Sequence, residues 1–235
     1  MKLITSIWLF FSSLFMSPSE SIIRGIILPH HDLAKEIFHT SLSSLKEKQT
    51  PSVIVIYGTN HYFSEGPTFT TTTEIQDEYG LENILVNDER INKEHSIQTL
   101  LPYLKEYFPN TKIIPIIVSS MYEMESLNNM SNSLLKVLPK DTLYIASVDF
   151  SHNSTVESGL QKNKESIESI STFNYQKILD YKDDHMDSPV AISVFMKTME
   201  NINAKKWETW SSSHGGLITN NPLLNGTSYV VGVFR

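Results

Sequence analysis

The run Thr142-Leu143-Tyr144-Ile145-Ala146-Ser147, followed at once by Val148-Asp149-Phe150-Ser151-His152, decides how the chain is to be read. An almost continuous aliphatic and aromatic run predicts a strand covered on both faces, as in a parallel sheet packed between helices. In such sheets ligands gather beyond the carboxyl ends of the strands, so the Asp and His that follow stand where chemistry is expected.

The same grammar recurs along the chain. Ile22–Leu28 runs into Pro29-His30-His31-Asp32, and Ser52–Tyr57 runs into Gly58-Thr59-Asn60-His61. Lys112–Val118 is a further strand, Ser228–Phe234 closes the chain, and Trp207–Ser211 is a weaker strand signal. The polar, β-prone Thr68–Thr73 tract reads as an edge strand or hairpin arm. Amphipathic stretches predict helices at Leu33–Lys46, His95–Tyr107, Glu123–Leu138, Val156–Ile170, Asn174–Tyr181 and Pro189–Met199. Strands exchanging with helices define the expected fold class: α/β, with a mainly parallel central sheet flanked by helices on both faces.

Composition sets the outer bounds. A chain of 235 residues, 40% hydrophobic, is long enough for one sizeable core, and no repeat or linker divides it. A net charge of −7 without strong clustering argues against nucleic acid as a partner. The absence of cysteine excludes disulfides, thiolate metal sites and cysteine nucleophiles, so any metal must be held by His, Asp or Glu. Lys2, the apolar stretch Leu3–Phe15 and the small residues Ser17 and Ser19 read as a secretory signal or N-terminal anchor over residues 1–20. That leaves 21–235 as a single domain, exported to a periplasmic or extracellular location or tethered by the N-terminal segment, the only part expected to meet a membrane.

A single histidine is ordinarily a surface residue or a hydrogen-bonded core group. Three of them at three strand ends suit either a metal centre or proton transfer, and these residues alone leave both open. Other chemistries lose support: there is no G-x-S-x-G elbow, no G-x-x-x-x-G-K-[ST] loop, no G-x-G-x-x-G and no H-E-x-x-H.

Several motifs in a fixed order carry a family resemblance. They are Pro29-His30, Gly58-Thr59-Asn60-His61, Glu94-His95-Ser96-Ile97 with Leu101-Pro102-Tyr103-Leu104, Ser147-Val148-Asp149-Phe150-Ser151-His152 and Ser228-Tyr229-Val230-Val231-Gly232. In these the chain resembles the Memo family, whose bacterial and archaeal members are called AmmeMemoRadiSam system protein B. The resemblance implies a fold similar to class III extradiol dioxygenases and a metal pocket at the carboxyl side of the sheet. No general catalytic activity is established for the family, so the resemblance fixes the site better than the reaction.

The family's ligands are two histidines and a cysteine, and the histidines fall on His30 and His61. The cysteine's place, counted back from Pro189, falls on His185 in Asp183-Asp184-His185-Met186-Asp187. The resemblance therefore implies His30, His61 and His185 as metal ligands, with Asp184 or Asp187 as alternatives that would give two histidines and a carboxylate. It places His95, Asp149 and His152 around them, as acid, base or orienting groups, while His31, where the family has a small residue, is either an outer pocket residue or exposed. His214 ranks below these and His39 lower still. The implied cofactor is a divalent transition metal, iron or copper ahead of zinc, with an unknown small molecule or peptide as the pocket's ligand. Three functions follow: a metal-dependent oxidoreductase, a binding protein without turnover, and a metal-dependent hydrolase.

Overall fold

The computed structural model describes residues 22–62, 68–120 and 124–235. The proposed signal or anchor at residues 1–20 and the expected helix start at Glu123 lie outside the described residues. In chain order the strands are β1 (Gly25–Leu28), β2 (Val53–Thr59), β3 (Phe69–Thr71), β4 (Leu85–Val86), β5 (Lys112–Val118), β6 (Leu143–Ser147), β7 (Trp207–His214) and β8 (Ser228–Phe234). The helices are α1 (Lys35–Lys48), α2 (Thr73–Tyr79), α3 (Asp88–Lys93), α4 (His95–Gln98), α5 (Leu101–Tyr107), α6 (Met124–Val137), α7 (Val156–Ser171), α8 (Tyr175–Asp180), α9 (Pro189–Asn201) and α10 (Gly215–Ile218).

Among the described residues the strands form one sheet in the order β4-β3-β5-β2-β6-β1-β8-β7. The inner four, β5, β2, β6 and β1, are parallel. β8 lies antiparallel to β1, β7 antiparallel to β8, and β3 antiparallel to β5. The sheet is therefore mixed, not mainly parallel as the sequence suggested. Parallel neighbours need a crossover of about a dozen residues or more, usually a helix. β3 instead runs back against β5, and the connection from β7 to β8, residues 215–227, carries no helix longer than the one-turn α10.

Helices cover both faces. β2 is buried along its whole length, and its residues alternate. Val53, Val55 and Tyr57 join a core with Leu127, Leu134, Val194 and Phe195 from α6 and α9. Ile54 and Ile56 point the other way, to Phe38, Leu42 and Leu45 of α1 and Leu104 of α5. Both cores are apolar because neither face of the inner strands reaches water.

The single helix expected at His95–Tyr107 is two. Pro102 sits in the first turn of α5, where its missing N–H costs nothing. One turn deeper in a continuous helix, its ring would strike the carbonyl of Gln98, so α4 stops and α5 starts afresh. Among the described residues no helix is long and apolar enough to cross a membrane.

Candidate metal centre

Three neighbouring strands, β2, β6 and β1, end on the same side of the sheet. Beyond them lie His61, Asp149 and His30. His30 is almost fully buried, and its backbone N–H donates to Asp149 Oδ1 at 3.0 Å, which ties the end of β1 to the end of β6. The ligating atoms of His30, His61 and His95 all lie within 4.8 Å of one another, and so do those of His30, Asp149 and Asp187.

Asp187 joins the two groups. Its Oδ2 stands 3.1 Å from His30 Nε2 and 3.4 Å from His61 Nε2, and its Oδ1 accepts from Thr59 Oγ1 at 3.1 Å. On the far side of each ring, Ser147 Oγ lies 3.2 Å from His30 Nδ1 and Glu94 Oε1 lies 2.8 Å from His61 Nδ1. Glu94, wholly buried at the N-cap of α4, also accepts from the backbone N–H groups of His61 and Ser96. His95 packs over His61 with ring centroids 3.9 Å apart, and its Nδ1 is 3.1 Å from the Tyr62 hydroxyl.

The electrostatics follow from this crowding. Burial works against a charge on His30, but Asp149 and Asp187 override it and raise the imidazole above its ordinary value. Burial likewise opposes a charge on His61, yet hydrogen bonds to Asp187 and Glu94 lift it to about 9. His95 goes the other way, down to about 4, through burial and the neighbouring charges of His61 and His30. Asp187, between two imidazoles, is held below the usual carboxylate range despite its burial, and so is Glu94. Asp149 is raised, because burial and the charge of Asp187 outweigh His30. Without a metal, His61 is thus a cation at neutral pH, beside Asp187 and Glu94, and His95 is neutral.

This donor set suits a divalent metal. Nitrogen and oxygen ligands about 2.0–2.2 Å from one ion stand roughly 3.0–3.5 Å apart, depending on the angle between them. The separations from Asp187 to His30 and to His61 fall in that interval. The anchoring of both outer nitrogens is also the usual arrangement behind metal-bound imidazoles.

One expectation is corrected. His185 does not face His30 and His61: it belongs to neither ligating group among the described residues. Its ring stacks on Tyr181 at 4.1 Å, and its nitrogens lie 3.2 Å from Glu165 and 3.1 Å from Asp184. The reason is a turn over Lys182–His185, closed by His185 N–H and Met186 N–H on the Lys182 carbonyl. Only at Met186 does the chain extend and bridge to Phe150, and the bond from Asp187 N–H to Asp149 O then sets Asp187 beside the pocket. His152, expected around the ligands and not among them, is held by its backbone N–H and its Nδ1 on the Asp183 carbonyl.

Of the remaining histidines, His31 is exposed and caps the turn that precedes α1, accepting from Leu33 N–H. His39 contacts the Tyr107 hydroxyl at 2.9 Å. His214 is fully buried, where it caps α10 and contacts the Ser154 carbonyl. Glu94 had no role assigned by sequence reasoning, although it stands inside a motif that was singled out.

Fold and site together define an α/β protein with a histidine and carboxylate cluster of metal-ligating type at the carboxyl ends of its parallel strands. The chain belongs to the family of Memo-like proteins, whose model matches residues 2–222. A MEMO1 family protein of Aquifex aeolicus (strain VF5) is 32% identical over 151 residues, a match covering 55% of this chain and 39% of that protein. A MEMO1 family protein of Saccharolobus solfataricus is 29% identical over 157 residues, covering 58% of this chain and 55% of that protein. The chain thus spans well under two thirds of the length of these relatives. The crystal structure of an uncharacterized protein from Escherichia coli K12 is similar at a TM-score of 0.59 and 12% identity, covering 90% of this chain and 99% of that one. At that identity the likeness concerns the fold alone.

Proposed function

We propose that the protein binds a divalent transition metal through His30, His61 and Asp187, with His95 beside them, and that it serves as a metal-dependent oxidoreductase. The observation that carries the reading is the Asp187 carboxylate held at 3.1 and 3.4 Å from the Nε2 atoms of two histidines whose outer nitrogens are already engaged. Two histidines and a carboxylate with room for further ligands favour iron(II) among the divalent metals, and the absence of a thiolate weakens the case for copper(I). Iron(II) held in this way would supply open positions for an oxidant and a substrate together.

The chain's own residues do the rest. Glu94 and Ser147 hold the two imidazoles, while neutral His95, touching the Tyr62 hydroxyl, is placed to take or give a proton at its own ring. His61 and His95 are the part-exposed members of the cluster, so a small molecule or peptide would enter from their side. The apolar segment Leu3–Phe15 supports export to the periplasm or cell exterior.

The test is elemental analysis of protein purified from its native compartment, then anaerobic loading with iron(II) and measurement of oxygen uptake with catechol-like and other candidate substrates. Iron together with uptake that His61→Ala abolishes supports the proposal. Zinc without oxygen uptake would move the reading to hydrolysis, and no metal at all would leave a ligand-binding protein.

A further inference from the structure

The motif Glu94-His95-Ser96 touches more of the site than its one part-exposed histidine suggests. Resting on the metal-binding reading above, we propose that this tripeptide positions the site, fixing Nδ1 as the protonated nitrogen of both His30 and His61 so that both present Nε2 to the same point.

The argument is one of donors and acceptors. Ser147 Oγ donates its single proton to the Ser96 carbonyl at 2.5 Å. Toward His30 Nδ1, 3.2 Å away, the same hydroxyl has only lone pairs left, so His30 Nδ1 must be the donor. Its Nε2 is then the nitrogen free to ligate. Glu94, an ionised carboxylate, can only accept, so His61 Nδ1 donates to it at 2.8 Å and His61 Nε2 is left facing Asp187. Ser96 adds a third tie: its Oγ donates to the Thr59 carbonyl, and Thr59 Oγ1 donates to Asp187 Oδ1. Each ligating group is held, directly or through one residue, by this tripeptide. Gly58 lets it come so close, since a Cβ there would lie 2.7 Å from Ser96 Oγ.

Glu94→Gln tests the point because the three N–H groups facing the carboxylate, His61 N, His61 Nδ1 and Ser96 N, all need an acceptor. An amide NH2 would meet at least one of them donor to donor. Ser147→Ala removes the acceptor for His30 Nδ1. The full chain, stripped of metal, is titrated with cobalt(II), and exchangeable imidazole N–H resonances are recorded on the loaded protein. Each variant is expected to bind cobalt(II) about 10- to 100-fold more weakly than the parent. Glu94→Gln should shift the His61 N–H resonance, since a neutral amide oxygen replaces the carboxylate as its acceptor, and Ser147→Ala should lose that of His30.

Both variants binding at parent affinity with both resonances unchanged would overturn the positioning role alone. Failure of the unaltered protein to take up cobalt(II) would overturn the metal-binding reading, and this inference with it. Should Glu94→Gln not fold, Glu94→Asp, which keeps the charge but shortens the reach, and Ser147→Ala carry the test with the same expected losses.

Discussion

Asp187 Oδ2 stands 3.1 Å from His30 Nε2, although the two residues enter the site from opposite halves of the chain. Asp187 is the sole carboxylate that also reaches His61 Nε2 among the described residues. Asp187→Ala should therefore lower metal affinity by at least about 100-fold, beyond what loss of an outer hydrogen bond costs. His185→Ala should leave affinity at the parent level. Paired titrations with one metal decide between them, and the reverse ranking would return the third ligand to His185.

The three strand ends carrying His30, His61 and Asp149 were legible because apolar runs followed by polar residues are a local pattern. So were most helices, whose periodicity is equally local. What escaped depends on distant contacts. Whether His185 or Asp187 turned inward hinged on a turn over Lys182–His185 and on the pairing of Met186 with Phe150, which no local pattern encodes. The direction of β3, β7 and β8 was hidden for the same reason: a strand's residues do not say which way its neighbour runs. Thr68–Thr73, expected as an edge strand or hairpin arm, contains β3, which lies one strand inward of β4, a two-residue strand too short to read. Pro102 was in plain view, and its effect on the helix at His95–Tyr107 follows from its missing N–H.

Gly58 should tolerate no side chain. An added Cβ would fall 2.6 Å from Ile97 Cδ1 and 2.7 Å from Ser96 Oγ, both on the buried face of α4. Gly58→Ala should cost about 1–3 kcal/mol by overpacking. In a chain of this size each kcal/mol lowers the melting temperature by roughly 2–4 °C. Because the displaced helix carries Glu94, the variant should also bind metal more weakly, which calorimetry and metal titration on the same sample would show. An unchanged melting temperature would mean that α4 yields without strain.

His214 should separate a structural histidine from those of the site. It is fully buried, accepts from Gly216 N–H at 3.0 Å and reaches the Ser154 carbonyl at 3.1 Å. His214→Ala leaves the buried Gly216 N–H without its acceptor, at about 1–3 kcal/mol, while the Ser154 carbonyl keeps its bond from Gly226 N–H. Denaturant unfolding should show the protein less stable by at least that amount, while metal affinity stays at the parent value. A loss of affinity without a loss of stability would place His214 in the metal site.

The metal-free protein should be most stable near pH 6.5, and two histidines shape the decline on either side. His61 is raised from 6.5 to about 9 in the folded chain. A raised imidazole contributes stability that is complete below its unfolded value and is lost as pH rises through the folded one. The alkaline decline should therefore run from about pH 6.5 to about pH 9 and flatten in His61→Ala. His95 is shifted the opposite way, to about 4. Between pH 6.5 and pH 4 the unfolded chain takes up a proton that folded His95 refuses, so stability falls as pH drops through that interval. His95→Ala should remove this part of the acid decline. Asp187 and Glu94, both lowered, add a further loss at lower pH as they are protonated, and that loss should persist in His95→Ala. Melting temperatures from pH 4 to pH 10 on parent and variants check each limb separately. Bound metal should abolish the gain His61 draws from its proton, because only the neutral imidazole ligates, and acid should instead release the ion.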